Sequence, residues 1–445
     1  MKKSIRVGAG LGFYGDAWEP VLASIDRGGV QYIASDHLAE LTLAILQKDL
    51  QRDSALGYAR DVVPMLLCLW PAMAQQKVRF VCNAGGLNPA GAAAAVRAAF
   101  AEKGWKARVA VVTGDEVLRQ LKGLAPAHMF NGGSFDAVHE RMVFANAYLG
   151  ARPIVSALRQ GADIVITGRV ADPSLFVGAA LHGLDWSYDD YPMLAAATLA
   201  GHLMECSAQL TGGCFMDPGM KDVEDPVNIG FPYADLGRDG SLMLGKLETS
   251  GGRLDVMTCT EQLLYEMHDP AAYITPDCVL DITGVEFGAQ GRHRVRATGA
   301  QARARTSSYK VVVGYHDGYI GEGEVGYSGP NALPRAKLAE HIVRERLRLR
   351  GFSYPEIRVD YIGMSSMHGM GDGRDTPYEV RLRVAARSAD RKAAQAVGFE
   401  VRALHVNGPA GGGGGSNAVR EVLAVKSLLL DRALVRPVVT VDGAT

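Results

Sequence analysis

The sequence predicts an α/β protein, with a Rossmann-like, mostly parallel sheet domain over residues 1–280 and a smaller α+β sandwich over residues 281–445. Three observations predict it. Short, largely apolar strands alternate with helices through the first part, which implies a parallel sheet covered on both faces. Each of those strands ends in a small, polar or glycine-bearing turn. From about residue 280 the texture changes to alternating, β-branched segments and two helices, the pattern of a sheet with helices on one face.

Taken in order, the first strand is residues 5–7, and Gly10, Gly12 and Gly15 follow it in the spacing G-x-G-x-x-G. A helix near 18–27, a strand at 31–34 and then Asp36 complete the outline of a dinucleotide site. Two points weigh against that reading. In such sites the first glycine directly follows the strand, which here would be Gly8, and in a chain with 53 glycines the spacing arises often by chance. The turn reads as one that packs strand against helix, with an NAD(P)-dependent oxidoreductase as the alternative.

A helix with Leu38, Leu41, Ala44 and Ile45 on one face comes next, then an apolar helix near 57–75 and a strand at 78–81 that runs into Asn83 to Asn88. Pro89 opens an alanine-rich helix at a first-turn position, where its missing N–H costs nothing. The strand at 108–112 stops at Gly114 and Asp115, and a helix over 145–160 leads to a strand at 163–166 that stops at 167–172. In a parallel sheet all these turns lie along one edge, where open α/β folds place their ligand sites. Gly, Asn and Asp are also ordinary turn residues.

The second part reads as strands at 281–285, 293–298, 309–315 and 319–325, a helix at 336–350, strands at 357–362 and 379–385, a helix at 390–404 and a strand at 424–430. The segment 379–385 is expected at a sheet edge. Long edges need pairing or protection, so a homodimer or higher homo-oligomer is expected.

Composition narrows the function. An apolar fraction of 48% and a charged fraction of 21% are those of a soluble globular protein, and a net charge of −1 gives no general attraction to nucleic acid or to acidic membranes. No stretch reaches the roughly 18 apolar residues of a membrane span. Residues 1–4 lack the apolar run of a signal peptide, so a cytoplasmic location is expected. Cysteines 68, 82, 206, 214, 259 and 278 include no C-x-x-C pair, which argues for buried thiols rather than a zinc knuckle.

Candidate chemistry concentrates in a few places. His202 and Glu205 are three apart on an expected helix and share a face, as an acid/base pair or metal ligands would. Asp36, His37 and Glu40 form a dense ionisable cluster in which only His37 ordinarily titrates near neutrality. Asp36, His37, His202 and Glu205 are therefore the catalytic candidates. Arg169 and Asp172 flank a strand end where a guanidinium can grip carboxylate or phosphate, although a local ion pair fits equally. The substrate-facing candidates are Gly12, Asn83, Gly85, Asn88, Asp115, Asn146, Arg169 and Asp172, with turn and cap chemistry as the other reading of Asn88. Gly412, Gly413 and Gly414 lie in a run of five glycines that suits either a linker or an anion-binding nest. The loop 367–375 is similarly glycine-rich and suits a lid. Without a second histidine at helical spacing, no tightly bound metal is expected.

The motifs Gly10-Leu-Gly-Phe-Tyr-Gly-Asp16, Asn83-Ala-Gly-Gly-Leu-Asn-Pro89, Val111-Val-Thr-Gly-Asp115, Ala145-Asn-Ala-Tyr-Leu-Gly150, Ala162-Asp-Ile-Val-Ile-Thr-Gly-Arg169, Gly201-His-Leu-Met-Glu-Cys206, Gln209-Leu-Thr-Gly-Gly213 and Asn407-Gly-Pro-Ala-Gly-Gly-Gly-Gly414 follow one another along the chain. In order and spacing the chain resembles the acyclic terpene utilisation family AtuA over nearly its whole length. The resemblance implies bacterial catabolism of branched acids through coenzyme A thioesters and implies no particular catalytic residue. With the aligned strand ends, it leads to an expected lyase, hydratase or hydrolase. Its substrate would be a small organic acid or an acyl-coenzyme A ester, and no redox cofactor would be bound. The alternative is a non-catalytic ligand-binding or scaffold subunit of such a pathway.

Overall fold

A computed structural model describes residues 3–123, 135–369 and 377–442. The first eight strands are β1 (Ser4–Ala9), β2 (Tyr32–Ser35), β3 (Arg79–Cys82), β4 (Val109–Thr113), β5 (Met142–Ala147), β6 (Ile164–Thr167), β7 (Pro232–Gly237) and β8 (Leu242–Lys246). By contacts the chain forms two units, residues 1–314 with 425–445, and residues 315–424. The antiparallel strands Val279–Asp281, Arg294–Thr298 and Gln301–Arg303 fall within the first unit.

The first unit is built on a sheet of 10 strands in the order Glu286–Ala289, Arg294–Thr298, β8, β7, β1, β2, β3, β6, β4, Val438–Asp442. Its centre, β1, β2, β3, β6 and β4, is parallel. Every residue of β2 and β6 is buried, as expected for strands covered on both faces. The flanks are antiparallel, so the sheet is mixed rather than parallel throughout. β7 and β8 form a hairpin closed around Gly240, whose positive φ of 81° suits a tight turn. β4 lies beyond β6, and the other neighbour of β1 is the antiparallel β7, so the chain does not turn back at its first strand with a parallel β4 as dinucleotide-binding halves do. Helices Asp172–Leu184 and Tyr191–Met204 are apolar nearly all round, and nearly all their residues are buried.

Three expectations are corrected here. Residues 145–147, expected as the start of a helix, are the end of the strand β5. The helix begins only at Arg152, where Pro153 sets its first turn. The strands expected at 309–315 and 319–325 are one continuous strand, Ser308–Ser328, which passes through Gly318 at a φ of +78° instead of turning back. The segment expected at a sheet edge, Glu379–Ser388, is paired on both sides.

In the second unit, strand, helix Ala332–Leu349, strands Glu356–Ile362 and Glu379–Ser388, helix Arg391–Asn407 and strand Gly413–Asp431 follow in the split βαβ order. Their sheet runs Glu356–Ile362, Glu379–Ser388, Ser308–Ser328, Gly413–Asp431. Along Glu379–Ser388, Val380, Leu382 and Val384 enter the core while Arg381 and Arg383 face away, the period of two that a half-covered sheet requires. Arg383 bridges Glu322 at 2.7 Å and Asp360 at 3.0 Å on that outer face. The glycine run opens the strand Gly413–Asp431, and most of loop 367–375 lies outside the described residues.

Candidate active site

The strand-end turns meet because the parallel registers align them. Gly10 N–H donates to the Ala34 carbonyl, Asp36 N–H to Leu11, Gly85 N–H to Thr167 and Gly168 N–H to Val112. Thus the turns after β1, β2, β3, β6 and β4 form one edge, carrying Asp36, Asn83, Asp115 and Arg169 together.

Three amides of the glycine turn are already engaged. Leu11 N–H donates to Ser35 Oγ at 2.8 Å, Gly12 N–H to Asp16 Oδ2 at 3.0 Å and Gly15 N–H to Asp61 Oδ2 at 2.8 Å. A phosphate would have to displace two carboxylates. What Gly12 permits is close packing: a Cβ there would stand 3.0 Å from the Cys206 carbonyl carbon. The Ser207 hydroxyl donates to the Gly10 carbonyl, so residues 205–207 are fastened to this turn. Gly85 is equally constrained, since a Cβ would meet the Thr167 oxygen at 2.5 Å.

Arg169 is the centre of the charge arrangement. Its side chain is 2% exposed and lies over the Tyr148 ring, 4.1 Å from the centroid. One terminal nitrogen donates to the Leu38 carbonyl and the other to Asp172 Oδ1 at 2.6 Å, while its Nε is buried without a partner. The sequence left the guanidinium open to grip a substrate; here both of its terminal nitrogens are engaged. Asp115 braces this loop, accepting from Arg169 N–H and from Asn146 Nδ2, both at 2.8 Å. Asp36 accepts from Asn83 Nδ2 at 2.5 Å and from Leu38 N–H at 3.0 Å.

Glu205 closes the group. It follows the helix Tyr191–Met204 at its C-terminus, one turn beyond His202. His202 Nδ1 stands 3.6 Å from Glu205 Oε1, and His202 Nε2 is 3.0 Å from the Leu263 carbonyl, which makes Nε2 the protonated nitrogen. Glu205 Oε2 is buried with no hydrogen-bond partner among the described residues. Solvent reaches the cluster beside Asp172, whose side chain is 29% exposed, and beside the Glu40–Lys310 pair at 2.6 Å, 37% and 45% exposed.

Too many carboxyls share this space for all to ionise. Burial raises Glu205 from 4.5 to about 7; Asp172 and Glu266 add to the rise and His202 opposes it. Burial likewise raises Asp172 and Asp36 against the pull of Arg169; Asp36 and Glu266 add to the rise of Asp172, and Glu205 to that of Asp36. Burial raises Tyr273, whose ring lies tilted against His202 with centroids 5.1 Å apart, and Glu205 and Asp172 add to it. His202 is raised above 6.5 by Glu205 despite its burial.

A stability prediction follows from the signs. Above pH 4.5 the unfolded chain releases a proton that folded Glu205 keeps until about pH 7, so stability falls as pH rises through that window, by roughly 3 kcal/mol at most. His202, raised, loses its contribution in the same direction at higher pH. Thermal melts from pH 5 to 8 are expected to show a declining midpoint with a smaller decline in Glu205→Gln; equal slopes would exclude Glu205 as the titrating group.

The other candidates separate from this cluster. His37 is fully buried and turns to Ser35 Oγ at 3.0 Å and Asp61 Oδ1 at 3.6 Å, away from its neighbour Asp36. Asn88 is spent as a helix cap, accepting from Gly91 N–H at 2.9 Å and donating to the Leu56 carbonyl at 2.9 Å. Gly412, Gly413 and Gly414 belong to the second unit, beside Arg402, His405 and Asn417. Among the described residues no group of three or more His, Cys, Asp or Glu side chains is arranged to hold a metal ion, and no helix is long and apolar enough to cross a membrane. Sequence reasoning missed Tyr148, Lys310, Tyr273 and Glu266. Only Tyr148 carried a signal, standing two residues after Asn146 in a quoted motif; the others reach the site from elements distant in the chain.

Compared with known proteins, residues 5–441 match the family model described as acyclic terpene utilisation family protein AtuA. No curated protein and no solved structure matches the chain.

Proposed function

This chain belongs to the acyclic terpene utilisation family AtuA, and from that catabolic context and the carboxyl cluster we propose an enzyme of proton transfer. It acts on a small organic acid or its acyl-coenzyme A ester by addition, elimination or hydrolysis, without a redox cofactor. The observation that carries this reading is Glu205: a buried carboxyl raised to about 7, with one oxygen unpartnered, is poised both to accept and to return a proton at neutral pH. His202 holds its other oxygen. In an elimination, Glu205 takes the proton α to the acyl carbonyl, and the buried Arg169 charge stabilises the oxyanion that develops there. Glu205, now carrying that proton, returns it to the leaving hydroxyl, which departs as water, while Asp172 keeps Arg169 in place. Asp115 and Asn146 are positioning residues that hold the Arg169 loop. The occupied amides of the glycine turn support a site without a nicotinamide or flavin.

Calorimetric titration with acyl-coenzyme A esters of short branched acids, followed by turnover assays on those that bind, tests the proposal. Saturable binding with turnover is expected. Binding without turnover would replace it with a ligand-binding or scaffold subunit, and saturable nicotinamide or flavin binding by absorbance would remove the cofactor-free part.

A further inference from the structure

A second cavity in the first unit, of about 400 Å³, lies apart from the carboxyl cluster. The two touch opposite faces of one helix turn: Asp172 joins Arg169, whereas Ser174, two residues on and so about 200° around the helix, donates to Asp277 Oδ2 at 2.6 Å in the cavity wall. The charged residues lining the cavity are Arg152, Arg305, Arg432 and Asp277. Asp277 is already occupied by the Ala151 N–H at 2.9 Å and by the Ser174 hydroxyl. It therefore cannot neutralise three cations.

The guanidiniums are presented rather than consumed. Arg152 lies over the Tyr188 ring, 4.7 Å from its centroid, and Arg432 over the Tyr309 ring, 4.1 Å from its centroid. Arg432 donates to the carbonyls of Thr306 at 2.7 Å and Pro276 at 2.8 Å and also interacts with the Tyr309 hydroxyl. Among the described residues neither Arg152 nor Arg305 has a carboxylate or hydrogen-bonded side-chain partner. Burial lowers the pKa of Arg432, and Arg305 adds to the fall, as like charges facing one space do. Natural proteins place Arg so where planar, bidentate recognition of phosphate is needed. Three cations facing one space call for an anion of more than one negative charge, and the volume of about 400 Å³ exceeds that of a single phosphate.

We propose that Arg152, Arg305 and Arg432 form a binding site for a diphosphate group, free or carried by a nucleotide. This goes beyond the proton-transfer reading and does not depend on it. The probes are inorganic pyrophosphate and ADP, titrated calorimetrically into the full chain. Saturable binding of at least one is expected, weakening as salt rises, and at least tenfold weaker in Arg152→Gln/Arg305→Gln. Among the described residues those side chains make no hydrogen bond or close ion pair, only the contact of Arg152 with the Tyr188 ring and a longer-range attraction of Arg305 to Asp277, so the unliganded melting temperature of this variant should lie close to the wild type. Tighter binding of ADP than of pyrophosphate identifies a nucleotide-borne diphosphate; equal binding identifies the diphosphate alone. Glu205→Gln should bind both as the wild type does, which separates this site from the carboxyl cluster. No saturable binding of either probe by the wild type, or equal binding by the double variant, overturns the proposal.

Discussion

Glu205→Gln should lower turnover by about 10²- to 10⁴-fold, the usual contribution of a positioned general acid or base. The amide keeps the volume and one contact to His202 but cannot carry the proton. Because the carboxyl it replaces is buried and held near 7, the fold should melt no lower than the wild type at pH 8. In the wild type, kcat/KM should show a limb near pH 7 that is absent from the residual activity of the variant. The measurement is a pH–rate profile on whichever acyl ester the binding screen yields, beside a thermal melt. Undiminished turnover in Glu205→Gln would end the role given to this residue, and a variant that lost activity by unfolding would reveal itself in the melt.

Arg169→Ala should act on stability first. Removing one partner of a buried pair costs about 3–5 kcal/mol, and the low end applies here because solvent reaches Asp172, the partner left behind. Here Asp172 at 2.6 Å, the Leu38 carbonyl and the Tyr148 ring all lose their contact at once. Adding Asp172→Asn should recover part of the loss, because an amide needs no counter-charge, and a double-mutant cycle reads that coupling directly. If Arg169→Ala melted like the wild type, the guanidinium would be a free substrate clamp and the ion pair incidental. Arg169→Lys is not expected to rescue, since an ammonium cannot reach the Leu38 carbonyl and Asp172 together while covering the ring.

Much of this arrangement was legible in the chain. The alternation of apolar strands with helices set out the parallel centre of the first sheet, because strands buried on both faces have no polar side to show. The small polar turns after those strands marked the edge where Asp36, Asn83, Asp115 and Arg169 meet, since the ends of parallel strands must lie together. The period of two in residues 379–385 and the helices around it announced a sheet covered on one side, and the motifs from Gly10 to Gly414 placed the chain in its family.

What only the tertiary structure decided is which neighbours along the chain stay neighbours in space. Asp36 and His37 are adjacent, yet one enters the carboxyl cluster and the other turns to Asp61. Pairing partners of strands are equally silent locally: nothing in residues 379–388 says whether both edges are used, because backbone hydrogen bonds are formed by every residue alike. The pKa of Glu205 was the least readable of all. It is raised by burial and by Asp172 and Glu266, a sum over groups that the chain brings together from more than 30 residues away on either side. Local patterns determine which face of an element is buried. The electrostatic character of a site depends on desolvation and on long-range charge, and both exist only once the chain has folded.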